Sequence, residues 1–240
     1  MHWSIADPDG EAERMFIGHW APAFIAGAVS EESPRMGTLF IGAQLVDWAF
    51  MLFLMVGVEE ARITPGITAM SPLDLYHMPY THSLLGTAVF AVIFGLIVGG
   101  SLRNAVAGTW AGMVVLSHWF LDLLVHRPDL TVAGGQDKLG WGLWDMPWVE
   151  IPLELGLTIG AFIWYMRATK GPLGPPLILI AVMLVFQLVN WFAPQPTEYS
   201  IALPITAMVG FAVITALAFW VGRTRWHKRQ VGLAVASLRR

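Results

Sequence analysis

The chain has 240 residues, of which 56% are hydrophobic and only 13% charged, and its net charge is −3. A soluble domain usually carries about twice that charged fraction, so the composition points to lipid as the solvent for the excess apolar surface, and the lack of a basic surplus excludes a nucleic-acid partner. With no cysteine, disulfides, thiolate metal sites and thiol catalysis are excluded as well.

In chain order, the first fourteen residues (MHWSIADPDGEAER) are polar and acidic, without the basic region and cleavage site of a signal peptide. The mature chain is therefore expected to start at or near Met1. The short apolar run 15–30 suits a half-helix, an interfacial helix or a tilted span. Six longer runs follow, at 36–58, 83–101, 105–126, 147–166, 173–193 and 201–222. Each is about the ~20 helical residues needed to cross a bilayer core. Their apolar residues are continuous rather than alternating, and open sheet edges cannot face lipid, so strands are not expected.

The predicted fold class is thus all-α, a polytopic transmembrane bundle of six long spans plus one short N-terminal membrane helix. It forms one membrane domain over 1–240, with 16–150 carrying the candidate site, 151–222 serving as scaffold spans and 223–240 forming a basic tail. Pro34, Pro65, Pro128, Pro172, Pro194 and Pro196 punctuate the breaks. Two connections are long, 59–82 and 127–146, and long loops in compact proteins tend to be functional.

Basic residues gather in the tail (Arg223, Arg225, Lys228, Arg229, Arg239, Arg240), at Arg167 and Lys170, and at Arg103. The positive-inside rule then places these segments in the cytoplasm and both long loops outside. Arg62, Arg127 and Lys138 lie in the outer loops and suit either an anionic substrate or lipid headgroups. Trp141, Trp144 and Trp148 read as an interfacial aromatic belt.

Ionisable groups within spans cost roughly 2.5–3.5 kcal/mol each, which directs attention to a few residues. In SHWFLDLLVH, His118, Asp122 and His126 stand at i, i+4 and i+8 on one helix face. In YHMPYTHS, His77 and His82 flank Pro79 just before a span, and Ser83 is placed to cap the helix that follows. Asp47 sits in a span with no Lys or Arg nearby, so it is expected to be protonated or bound to a cation. His19 lies one turn into the short first run. At ~1.5 Å per residue, Asp47 and His118 are about 16 and 12 Å from the outer ends of their spans. His77 and His82 arrive from the outer loop, and His19 lies toward that side if its segment spans. Glu150 and Glu154, at the outer end of the fourth long run, suit a general base, supporting carboxylates or a solvated helix start.

The ordered set Gly18-His19, Asp47, His77-x4-His82-Ser83 and Ser117-His118-x3-Asp122 resembles a bacterial inner-membrane family of metal-dependent hydrolases, the LexA-regulated membrane-bound type. The resemblance covers roughly residues 16–145. Where that family shows Pro-Asp-x-Asp-His, this chain keeps only Asp47, so either His126 substitutes or a second metal site is absent.

The resemblance implies metal ligation by His19, Asp47, His77, His82, His118 and Asp122; the residues' own positions add His126 as a candidate ligand and Asp122 and Glu150 as candidate catalytic carboxylates. Nitrogen and oxygen donors without thiolate suit zinc above manganese or iron, as one or two ions. The expected activity is hydrolysis of a small-molecule, lipid or lipid-linked ester or phosphoester at the outer face of a bacterial inner membrane. Two rival expectations are an ion- or proton-translocating protein and a non-catalytic metal-, haem- or pigment-binding subunit.

Overall fold

The computed structural model describes residues 17–229. Residues 15 and 16 of the first run and 230–240 of the basic tail lie outside the described residues. The chain is mostly helical. A 3-10 turn at Ile17–Trp20 leads into α1 (Ala21–Val29), followed by α2 (Met36–Ala43) and α3 (Leu45–Val56). The long helices are α4 (Leu84–Leu102), α5 (Ala105–Val125), α6 (Pro147–Ala168), α7 (Gly174–Phe192) and α8 (Ala202–Thr224).

Five helices are long and apolar enough to cross a membrane, and six spans result if α2 and α3 count as one. That pair replaces the single straight helix expected over 36–58. It bends by 50° at Gln44, which leaves helical geometry at φ −111° and ψ 8°. The consequence is chemical: Asp47 now lies in the first turn of α3, where the helix dipole favours an anion.

The described part of the first run forms a short apolar helical segment, Ile17–Val29, below the length of the five long helices. The nine residues of α1 reach only about 14 Å at ~1.5 Å per residue. Ala21, Ala23, Phe24, Ala26, Gly27 and Ala28 are all buried, chiefly between α2 and α6. An aromatic core of Trp20, Phe24, Phe40, Phe162 and Phe211 surrounds it.

The α4–α5 hairpin depends on small residues. A Cβ on Gly108 would sit 2.6 Å from the Gly95 carbonyl oxygen and 2.9 Å from the Gly99 Cα. Backbones approach this closely only where side chains are absent, the usual device of helix pairs in lipid.

The expectation of no strands is corrected by two small antiparallel pairs. β1 (Glu60–Ile63) pairs with β2 (Leu73–His77), and β3 (Thr169–Lys170) with β4 (Trp226–His227). Both lie in connections, and the rule against open edges applies only within hydrocarbon.

The connections sort to two ends. Asn104 donates to Glu32 at 3.2 Å, His227 bonds the Ala28 carbonyl at 3.1 Å, and β3 meets β4, so the short Arg- and Lys-bearing connections share one end. At the other end the two long loops interlock: the Met70 amide donates to the Trp144 carbonyl at 3.0 Å and the Ala69 amide to Asp145 at 3.0 Å. The cations there are tied down. Arg62 and Arg127 both bind Asp74, and Lys138 donates to the Asp129 carbonyl.

Candidate metal centre

The site begins with the ladder on α5. His118 and Asp122 point into the bundle from consecutive turns. His126 caps the helix one turn on, its amide bonded to the Asp122 carbonyl at 2.8 Å. All three are at most 4% exposed. The bend at Gln44 brings in Asp47, whose carboxylate accepts a hydrogen bond from the Gln44 amide. His82 enters from the segment before α4, which starts at the expected cap: the Ser83 hydroxyl accepts from the Gly86 amide at 3.0 Å. His19 enters from the 3-10 turn, its ring stacked on His118 with centroids 4.0 Å apart.

Two groups of ligand atoms converge, His19/His118/Asp122 and Asp47/His82/His118, each within 4.8 Å. His82 Nε2 is 3.2 Å from Asp47 Oδ1 and 3.7 Å from Asp122 Oδ2. His118 Nε2 is 3.3 Å from the same two oxygens. His82 Nε2 hydrogen-bonds Asp47 Oδ1 at 3.2 Å, and the other three separations are longer than the ~2.7–2.9 Å of a charge-assisted hydrogen bond. The four histidine-to-carboxylate separations lie near the ligand-to-ligand distance of a zinc site, about 3.3–3.4 Å for bonds of ~2.0–2.1 Å.

His82, His118 and His126 each have the other ring nitrogen engaged. His118 Nδ1 donates to the Ala43 carbonyl at 2.9 Å. The Thr81 hydroxyl donates to Glu59 at 2.5 Å and so accepts from His82 Nδ1 at 2.8 Å. His126 Nδ1 bonds Asp129 at 2.9 Å. A ring whose Nδ1–H is taken presents the Nε2 lone pair, the arrangement that orients metal-binding imidazoles. His118 Nε2 and Asp122 Oδ2 are buried and make no hydrogen bond of acceptable geometry, a costly arrangement for a centre without a cation. The donor set therefore fits a metal ion.

Around Asp122 Oδ1 the geometry differs. His19 Nε2 is 2.9 Å away, the length of a hydrogen bond, and His126 Nε2 is 3.5 Å away. Asp47 and Asp122 together would balance the charge of one divalent ion in a low-dielectric interior.

Three sequence expectations fall elsewhere in the structure. His77 lies exposed on β2, paired with Glu60 across the hairpin, and is not among the convergent ligands. Glu150 is buried on α6 with Glu154, and Glu154 hydrogen-bonds Glu150, the Gln187 amide at 2.9 Å and the Gly18 amide at 3.4 Å. The α6 carboxylates thus hold the turn that carries His19. Trp141 and Trp148 are exposed as a belt requires, but Trp144 is buried and its ring lies 4.3 Å from His126.

Gln44, Glu59, Thr81 and Asp129 support the site although the sequence does not single them out, and Trp144 joins them in place of its expected belt position. Asp129 carries a local signal, three residues beyond His126 after the helix-ending Pro128. Glu59 and Thr81 are adjacent only after the outer hairpin folds. No family model matches the chain, and no curated protein or solved structure matches it.

Proposed function

We propose that the protein is a membrane-embedded, metal-dependent hydrolase acting on a lipid or lipid-linked ester or phosphoester. The observation that carries this reading is that His82 Nε2 and His118 Nε2 each approach Asp47 Oδ1 and Asp122 Oδ2 at 3.2–3.7 Å, within two overlapping groups of three candidate ligands that share His118. Zinc suits that donor set, and charge balance favours one ion. When bound, the ion supplies Lewis-acid polarisation and activation of water.

The chain's own groups divide the remaining work. His82 and His118 hold their Nε2 atoms in place through fixed Nδ1 partners. Asp122 faces two ways, with Oδ1 toward His19 and Oδ2 toward His82 and His118, where it would help hold an ion. His19 Nε2, at 2.9 Å from Asp122 Oδ1, is placed to hold or pass a proton. The Asp47 side chain is 18% exposed, against 5% or less for His19, His82, His118 and Asp122, so water and substrate approach from its side. The resemblance to the bacterial inner-membrane hydrolases supports the reaction class. The clustering of basic connections at one end supports a cytoplasmic C-terminus with the site toward the outer face.

The test is elemental analysis of the purified chain, followed by assay of ester and phosphodiester substrates in detergent. About one zinc per chain with metal-dependent cleavage is expected. Metal-free protein as purified, or metal content unchanged in both His118→Ala and Asp47→Ala, sinks the reading.

A second reading, an ion or proton path, draws on the further buried polar residues Glu150, Glu154, Thr158, Gln187 and Thr215 on α6, α7 and α8. Ion or proton flux in proteoliposomes that Glu154→Gln abolishes would establish it in place of hydrolysis.

A further inference from the structure

A groove of about 850 Å³ lies on the far side of the segment that delivers His82. That volume falls within the ~300–1,000 Å³ of typical small-molecule sites. Its lower part is apolar, lined by Phe53 of α3 and by Leu85, Val89 and Phe90 of α4. Its upper rim is polar, formed by His77 and Tyr80.

Groove and centre share one wall. Tyr80 and Ser83 line the groove, whereas His82, between them, is buried and turns inward to Asp47. Glu59 stiffens this wall by accepting from the Tyr80 and Thr81 amides at 2.8 and 2.9 Å. Phe90 packs on the patch around Val46, next to Asp47. The rim is closed by Gly134, at φ +77°, where a Cβ would come within 3.1 Å of Pro79.

We infer that this groove seats one hydrocarbon chain of a membrane lipid, with the lipid's ester or phosphate linkage held at the level of His77, Tyr80 and Ser83. The inference rests on the hydrolase reading for its purpose and on the groove alone for its chemistry. The lining carries no formal charge. It runs from aliphatic and phenyl side chains to hydrogen-bonding groups over the first turns of α4, the pattern an amphiphile presents in reverse. Only 17% of the α4 span is buried, the least of the five long helices, so the groove opens sideways to the bilayer. A chain can enter without crossing water. His77, absent from the metal cluster, gains a role here as a donor to the lipid's linkage.

The test is photo-crosslinking of the full chain in phospholipid nanodiscs, with a phospholipid bearing a diazirine on its acyl chain and adducts mapped by mass spectrometry. Expected are adducts on Phe53, Val89 and Phe90 enriched several-fold over Val185 and Val209, which on α7 and α8 are at least as exposed as Val89 and more exposed than the two half-buried phenylalanines. Val89→Trp, which fills the groove, removes the enrichment without lowering the melting temperature. Even labelling of all lipid-facing helices would mean bulk lipid only and overturn the inference, as would protein–protein crosslinks between copies at α4 in place of lipid adducts. Labelling needs no turnover. Enrichment in a chain that hydrolyses nothing leaves the groove standing and removes the hydrolase reading, and hydrolysis with even labelling does the reverse.

Discussion

His118 donates its Nδ1–H to the carbonyl of Ala43 at 2.9 Å, and this bond joins the bend between α2 and α3 to the ligand ladder on α5. Ala43 is the last residue of α2, where carbonyls lose their intrahelical partners. A freed carbonyl in lipid needs another donor. Here the donor is an imidazole, and accepting that bond settles which nitrogen faces the carboxylates. The break that orients His118 is also the break that places Asp47 at a helix start.

The metal ligands divide by geometry. His118→Ala and Asp47→Ala should each reduce bound zinc to a small fraction of the unmutated content. His19→Ala and His126→Ala should leave about one ion per chain, with weaker binding. Elemental analysis of the four variants decides, and a fall from two ions to one in His126→Ala would establish a second metal position instead.

The groups behind the ligands carry their own prediction. Thr81→Val breaks the link from His82 through the hydroxyl to Glu59, and Asp129→Ala frees the His126 ring. Loss of such outer partners typically weakens metal affinity by about 10–100-fold. Because His126 is further from the convergent atoms, Thr81→Val should weaken zinc more than Asp129→Ala in competition with a chelator of known affinity.

The α4–α5 contact should tolerate no added atom. Gly108→Ala places a methyl 2.6 Å from the Gly95 carbonyl oxygen, and overpacking of this kind costs about 1–3 kcal/mol. Gly100→Ala, with nothing within 4 Å of its Cβ, is the control. Thermal unfolding in detergent should show a clear drop for the first and almost none for the second.

At the basic end, Arg225 is buried and donates to the Thr169 hydroxyl and to the carbonyls of Thr169, Gly171 and Pro172 at 2.9–3.2 Å. Burial lowers its pKa from the ordinary arginine value, yet guanidinium remains charged at any working pH. Arg225→Lys keeps the charge and loses the planar fork. It should destabilise the chain by roughly 1–3 kcal/mol through unpaired carbonyls, seen as a lower melting temperature with zinc content unchanged.

Much of this architecture is legible in the sequence because lipid leaves few choices. Continuous apolar runs must be helices there, so 83–101, 105–126, 147–166, 173–193 and 201–222 coincide with α4 to α8 within a few residues. The period of one helix also suffices to put His118, Asp122 and His126 on a common face. What the sequence determines is therefore local: span positions, the N-cap at Ser83, and which polar residues are too costly in hydrocarbon to be incidental.

The tertiary structure decided which of them meet. His77 and His82 look equivalent in YHMPYTHS, but pairing in β2 leaves His77 outside and the Glu59 clamp turns His82 in. Trp144 differs from Trp141 and Trp148 only by packing against His126. The bend at Gln44 cannot be read from periodicity, since apolar residues continue on both sides of it. Contacts between residues distant in the chain depend on how whole helices pack. No local rule encodes that sum, and so the membrane protein was visible in the sequence while the centre on Asp122 became visible only in the fold.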